Sequence, residues 1–409
     1  MGQAKVPQYQ QRATFIYNGN NGLSLRPFSF PSPSHAFALP SLAFHYVSSL
    51  LLVLLYALSY IYLLLLSFYH VVLTDNTSLS STHWVSRSTF RQFCTRTHLP
   101  ARFVDQVLVP LFACVTTCSP NEVLDDYPAA ELLEYIARTF GRNHYVVKGG
   151  VKEVVSALLA QIPEENIHLG CELVDIRRSA AASASRIELE DSDGNKLEFD
   201  HVIFATQANQ ARALLRFYVK NLQDSTDPSV RDTLAFEKTR LDDLNRFLYT
   251  QSLVVNHYDS ASTLLPEVQD RRILNLAIPS QPHQRIPEQL EKKETPKDNL
   301  IMPQEHIMAT HDLSLLNPYL RSTSTREPML QTTNPTVRID TSKILSSQRF
   351  ERAKVSLESR RTLSKFLSVP ESGKSKGRPS SEVVRYQGHG GIWFVGAWAA
   401  EVSEISRSA

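Results

Sequence analysis

FDHVIFATQANQARALL, residues 199–215, is the stretch that decides the fold. Residues 201–205 are apolar at nearly every position, which predicts a strand buried on both faces, as in parallel sheets. Thr206 ends the run, and residues 207–218 repeat apolar side chains at helical spacing, which predicts a helix directly after it. Small residues at the carboxyl end of such a strand let a ligand reach the backbone, and open α/β sheets bind cofactors at that edge. Two more pieces follow the same grammar. YVVKGGVKEVVSALL, residues 145–159, passes from a short β-type run (144–147) through Gly149-Gly150 into a helix-like stretch, 151–162. GIWFVGAWAAE, residues 391–401, gives a buried-type strand over 392–395 and then Gly396. Singly, each join is ordinary turn chemistry. In series they predict an α/β sheet.

Between these pieces the pattern predicts helices over 101–112 and 129–140, the second stopped by Gly141. Strand-like runs follow at 167–169, 172–177, 186–190 and 201–205, with Asp193-Gly194 as a hairpin signal. Residues 270–340 are rich in Pro, Gln, Ser and Thr and predict long loops. Residues 372–381, SGKSKGRPSS, predict a mobile linker.

From Arg26 to Asp75 there is no Lys, Arg, Asp or Glu. The centre, residues 47–73, is long enough to cross a bilayer, for which about 20 apolar residues suffice. Two readings stand: a membrane span, or a helix buried in a large core. A signal peptide is disfavoured, because the run starts too far from Met1. Residues 1–45, with Pro7, Pro27, Pro31, Pro33 and Pro40, read as an irregular tail or as a surviving piece of an upstream domain. The domain division read from this is 1–45 irregular tail, 46–74 transmembrane helix, and 75–409 one folded region with its linker at about 372–381.

The chain has 409 residues, 43 basic against 41 acidic, a net charge of +2. That balance offers no concentrated basic surface for nucleic acid. Four cysteines (Cys94, Cys114, Cys118, Cys171) are too few for a disulfide scaffold and suit a reducing compartment. Cys114 and Cys118 lie one helical turn apart, but no His or Cys cluster joins them, so packing is preferred to a redox pair and no metal is expected. His389, between glycines, reads as a solvated loop residue rather than a catalytic one, and His201 as an edge-strand position. Lys148 either faces a ligand or caps a turn. The pairs Asp125-Asp126 and Asp242-Asp243 read as solvated helix ends.

Taken together and in this order, the three motifs closely resemble the flavin-containing amine oxidase superfamily. The nearest match is its branch of predicted NAD/FAD-binding oxidoreductases of bacteria and fungi. Residues 103–140 resemble that branch's substrate-domain helices, and residues 236–277 and 333–355 also resemble it. The resemblance implies a partial FAD/NAD(P)-binding, Rossmann-like α/β flavoprotein fold with a mixed α/β substrate region, besides the long apolar helix. It implies FAD as cofactor, with Gly149 and Gly150 packed near the flavin and Leu173 at the adenine end. Ala205 and Thr206 would lie near the dinucleotide, and Gly396 and Ala397 next to the pyrophosphate and isoalloxazine. The implied chemistry is hydride abstraction from a C–N or C–C bond of an amine-like or lipophilic small molecule, with oxygen or another acceptor reoxidising the flavin. No catalytic residue is assigned.

One departure is plain. The family opens with a strand and GxGxxG, and NGNNG at residues 18–22 has the wrong spacing for it. Two alternatives accompany the oxidoreductase: a catalytically inactive, membrane-anchored fragment of such an enzyme, and a flavin-dependent desaturase or isomerase relative. Membrane lipid is the other expected partner, with the catalytic part cytosolic.

Overall fold

The structure is a computed structural model. It describes residues 8–11, 14–18, 39–73, 83–142, 144–147, 150–179, 186–226, 230–261, 264–266, 268–278, 300–303, 305–317, 320, 327–367, 386–396 and 398. The chain begins with β1 (Gln8–Gln11), β2 (Thr14–Asn18) and α1 (Leu39–Phe68), the last extended by a wider turn, Tyr69–Leu73. Short helices follow: α2 (Phe90–Arg96), α3 (Ala101–Phe103), α4 (Val109–Thr116), α5 (Pro120–Asp125) and α6 (Ala129–Thr139). Next come β3 (His144–Val147), α7 (Val151–Leu159), β4 (Leu173–Arg178), β5 (Ile187–Asp191), β6 (Lys196–Phe199), β7 (Val202–Phe204), α8 (Ala208–Gln223) and α9 (Val230–Leu244). The remainder is β8 (Tyr249–His257), β9 (Leu274–Ile278), β10 (Met308–Asp312), α10 (Leu313–Leu316), β11 (Leu330–Thr333), β12 (Ile344–Ala353), α11 (Leu357–Leu367) and β13 (Ile392–Phe394). Two compact units result: residues 1–154 with 250–352, and residues 155–249 with 353–408.

The first unit holds a six-stranded sheet in the order β12-β8-β11-β10-β9-β2. Alternation along the strands sends Leu253, Val255, Ala277 and Met308 into one apolar cluster with Leu264 and Ile339. Its helices start where the sequence caps them. Thr89 accepts the Gln92 N–H and Ser119 the Glu122 N–H, each in a reciprocal capping box, and Pro120 sits in the first turn of α5.

One expectation needs correction here. Residues 8–11 and 14–18 are strands rather than irregular tail: β1 pairs antiparallel with β3, and β2 runs parallel to β9 at the sheet edge. The run TFIYN is β-branched and aromatic, and that preference outweighs its polar surroundings. Among the described residues, the stretch 270–340 carries three strands between its loops, because LNLAI supplies a buried apolar run and the polar Thr310 and Thr332 bond to one another inside the sheet at 3.0 Å. The segment 279–299 and the linker 372–381 lie outside the described residues.

The second unit contains an antiparallel meander, β4-β5-β6, and a parallel pair, β13-β7. Asp193-Gly194 makes the expected turn between β5 and β6, with Gly194 at φ +82° and the Asp191 carboxylate accepting the N–H groups of Asp193 and Asn195. Residues 167–169 are not a strand, and Leu169 there is exposed. Where β7 approaches β13, Gly391 is obligatory: φ is +79° and a Cβ would stand 2.6 Å from the Asp200 carbonyl oxygen. Phe204, Phe394, Leu215, Phe366, Tyr386 and Trp398 make the core. β7 is buried on one face only. Phe204 enters the core, whereas Ile203 is 62% exposed, because the described sheet has two strands and α8 and α11 cover a single side.

Candidate functional site

The parallel pair carries the carboxyl ends singled out in the sequence. β7 leads to Ala205 and Thr206, both exposed, and β13 leads to Gly396 in the adjacent position, where the Val395 N–H bonds to the Phe204 carbonyl at 2.9 Å. Gly396 has φ +147°, and a Cβ on it would lie 3.2 Å from the Thr206 carbonyl oxygen and 3.3 Å from the Trp398 indole nitrogen. The Trp398 indole N–H donates to that same carbonyl at 3.0 Å. Tyr249 completes the join, its hydroxyl oxygen accepting the first free N–H of α8, at Ala208, at 2.6 Å. The result is a ledge of small residues, side by side at two strand ends and pinned from behind by two aromatics. It is bare enough for a flat ring to lie against.

Of the other assigned residues, Leu173 opens β4 in the meander, next to a register shift before Asp175. Gly150 belongs to the first unit. It has φ +76°, its N–H closes a turn onto the Val147 carbonyl at 3.1 Å, and nothing stands within 4 Å of where a Cβ would be. An open backbone at a helix start suits an approaching ligand. Lys148, Gly149 and Ala397 lie outside the described residues. The structure therefore brings Ala205, Thr206 and Gly396 together in one unit, as an edge with no bulky side chain of its own. For a pyrophosphate the sequence offers no glycine loop.

Two cavities accompany the ledge. In the first unit a space of about 350 Å³ opens between the end of α4 and one face of the six-stranded sheet, lined among others by Cys114, Thr117, Ser252, His311 and Gln331. Two buried polar atoms there, Thr117 Oγ1 and His311 Nδ1, have no hydrogen-bond partner among the described residues. Burial holds the His311 pKa below its ordinary value, so the ring is neutral at pH 7 and can accept a hydrogen bond. Sequence reasoning passed over His311, although the alternation MATHD places it on the same face as Ala309. In the second unit a smaller space, about 220 Å³, is lined by Arg178, Arg186, Tyr218, Thr233 and His389. Arg186 already donates to Asp200 at 3.1 Å.

The four cysteines are free thiols, and burial pushes Cys94 and Cys114 up to about 12, which leaves them unreactive at neutral pH. His389 is partly exposed, but its ring stacks on Phe236 at 3.7 Å; burial first, then the Arg240 charge, holds its pKa down. His201 meets Trp393 edge to face at 6.3 Å. Asp125 pairs with Arg91 at the surface, as a helix end should. Asp243 does not follow that pattern: it is buried, and takes hydrogen bonds from Tyr386 and, at 2.6 Å, from Lys365.

Residues 75–235 match the family of flavin containing amine oxidoreductases. Among solved structures, a triple variant of putrescine oxidase with redesigned cofactor binding is similar over 98% of this chain and 80% of its own, with a TM-score of 0.50 and 8% identity. A double variant from the same redesign has a TM-score of 0.49 and 8% identity, over 98% and 82%. No curated protein matches the sequence. At such identity the structural likeness speaks for the fold, which is that of the FAD-binding amine oxidases. Over residues 75–235 the chain is similar to the flavin containing amine oxidoreductases.

Proposed function

We propose that this chain is an FAD-dependent oxidoreductase of amine-oxidase type, acting on an amine-like or lipophilic small molecule at a membrane, with its catalytic part in the cytosol. The observation that carries the reading is the ledge of Ala205, Thr206 and Gly396 at the ends of two parallel strands. These residues would hold the ring system, and the family resemblance adds Gly149, Gly150, Leu173 and Ala397 to the residues assigned to the same cofactor. When bound, the flavin would supply the redox chemistry by accepting a hydride from the substrate. The chain's own contribution is position: Trp398 and Tyr249 fix the ledge, and its small side chains leave the backbone open. The neutral His311 and the Thr117 hydroxyl offer a polar site for a small amine, since an uncharged imidazole nitrogen accepts an N–H without repelling it.

A titration of the purified chain with FAD tests this. Missing phosphate contacts cost about 1.5–3 kcal/mol each, so binding is expected near the micromolar range, about −8 kcal/mol. A chain that retains no flavin at about 1 mM FAD overturns the reading in favour of an inactive relative, which the lack of GxGxxG favours. Hydrogen peroxide release with amine and with lipophilic substrates then separates the two substrate classes.

A further inference from the structure

The apolar helix α1 is the largest feature that the catalytic reading leaves unused. As a bare span it would stand clear of the folded unit. It does not. Tyr56, Leu63, Ser67 and His70 are buried and fall on one face at helical spacing. Along that face the Tyr56 hydroxyl donates to Gln106, its ring lies 5.9 Å from Phe103, Phe68 meets Phe140 at 6.0 Å, and His70 meets Trp84 at 5.5 Å. Tyr62 donates to the Thr97 carbonyl at 3.1 Å. The contacts run from Tyr56 to His70, about 21 Å of helix. The segments they touch carry Arg91, Arg96, Arg102 and Asp105, all exposed. Were α1 to cross a bilayer, those charges would enter the hydrocarbon beside it, where ions are costly.

The opposite face is bare. Leu50, Leu51, Leu54, Leu58, Ile61 and Leu65 are each more than half exposed. No charge lies on this face, and Tyr60, Tyr62 and Tyr69 stand exposed along the helix. A protein partner would be expected to form about one hydrogen bond per 100–200 Å², and the six leucine and isoleucine side chains that make up this face have no polar group with which to form any. Lipid tails need none. Tyrosines, and the Arg96 guanidinium held 4.2 Å over Trp84, suit the headgroup layer.

We infer that α1 lies in the plane of the membrane, its leucine face in one leaflet and its Tyr56–His70 face on the protein, so that both ends of the chain remain on the same side. This rests on the membrane association proposed above. The test uses the full chain with a tag at each terminus, in sealed membrane vesicles prepared from expressing cells and treated with protease. In-plane binding makes both tags cleavable together or protected together; a span splits them and overturns the geometry alone. Purified chain mixed with phosphatidylcholine–phosphatidylserine vesicles is expected to sediment with them. The exposed-face variant L54E/L58E/L65E should keep its fold and lose about tenfold or more of that partitioning. If the unaltered chain stays in the supernatant, membrane association itself falls. If it also dimerises, and the variant is monomeric, the face belongs to a second copy and the inference is overturned.

Discussion

Each unit buries polar side chains beside its main sheet, and the two do so with different chemistry. In the six-stranded sheet the side chains that bond to one another are neutral, although the Asp259 and Asp312 carboxylates are buried as well. The Asp259 N–H donates to His257 Nδ1 at 3.1 Å, His257 Nε2 lies 2.8 Å from the Thr332 hydroxyl, and Thr332 lies 3.0 Å from that of Thr310. In the second unit they are ions. Arg240 is 0% exposed, Glu237 sits one turn before it in α9, and Asp243 lies a turn beyond. The neutral chain satisfies its ring nitrogens. The ions touch, but neither Glu237 oxygen and neither Arg240 Nε nor Nη2 finds an aligned hydrogen bond. Burial accordingly raises the Glu237 pKa despite the guanidinium beside it, and lowers that of Arg240. Desolvation exceeds attraction on both sides of the pair, and the pair holds because each ion is the other's main compensation.

The largest expected effect breaks that pair. Arg240→Met leaves Glu237 buried without a cation and should destabilise the second unit by about 3–5 kcal/mol. The double change to Glu237→Leu with Arg240→Met should recover most of the loss. Urea unfolding measures both; a single variant within about 1 kcal/mol of the parent would mean the pair is not as dry as it looks.

Acid separates the units next. Burial, against the opposing Asp259 charge and N–H, lowers His257 to about 4, and its unfolded value is about 6.5. A depressed base favours its neutral form when folded. Its contribution is therefore whole above pH about 6.5 and drains as pH falls toward about 4, by about 3 kcal/mol in all. Glu237 has the opposite sign: with a raised folded pKa it stabilises at low pH, and that support is lost as pH rises through the folded value. His389, partly exposed and lowered, works against Glu237 with less weight. Hydrogen exchange at pH 7 and pH 5 should show β8 weakening, and His257→Gln should abolish that slope. Equal weakening in both backgrounds would exclude His257 as its source.

A smaller loss follows Asp243→Asn. The amide can still meet the Tyr386 hydroxyl, but it gives up the charge facing Lys365 and Arg246, at 2.6 and 3.3 Å. Both cations are partly exposed and can return to water, so about 1.5–3 kcal/mol is expected. The loss should appear as faster amide exchange in α11, and exchange unchanged there would remove Asp243 as the tether of that helix.

What the sequence disclosed divides along the same line. Local signals held: the Asp193-Gly194 turn, and the strand–helix join at Thr206, which gave half of the ledge, are written in neighbouring residues. The failures are long-range. Nothing near Asp243 foretells Tyr386, more than a hundred residues away, so an acidic pair at a helix end looked solvated. TFIYN looked like tail because its partner, β9, lies far along the chain. His311 and Thr117 meet across a cavity only after α4 packs on the sheet. The exposed face of β7 was hidden in the same way, because apolar letters show that a strand is suited to burial on both faces but cannot show how many strands flank it.

The smallest effect tests the neutral side of the comparison. Thr310 and Thr332 are both fully buried, and Thr332 is the middle of the chain from His257. Because the Asp259 N–H occupies Nδ1, the proton sits on Nε2 and is donated to the Thr332 oxygen, which leaves the Thr332 hydrogen for Thr310. Thr310→Val keeps the shape and removes only the last acceptor, so about 1 kcal/mol should be lost. Thr332→Val removes the middle and strands groups on both sides, at about 1–3 kcal/mol. The double variant should cost little more than Thr332→Val, since the second change removes a group the first had already stranded. Thermal unfolding of the three variants decides it. A strictly additive double variant would mean that the two hydroxyls act separately, and that the first unit holds two isolated hydrogen bonds rather than one network.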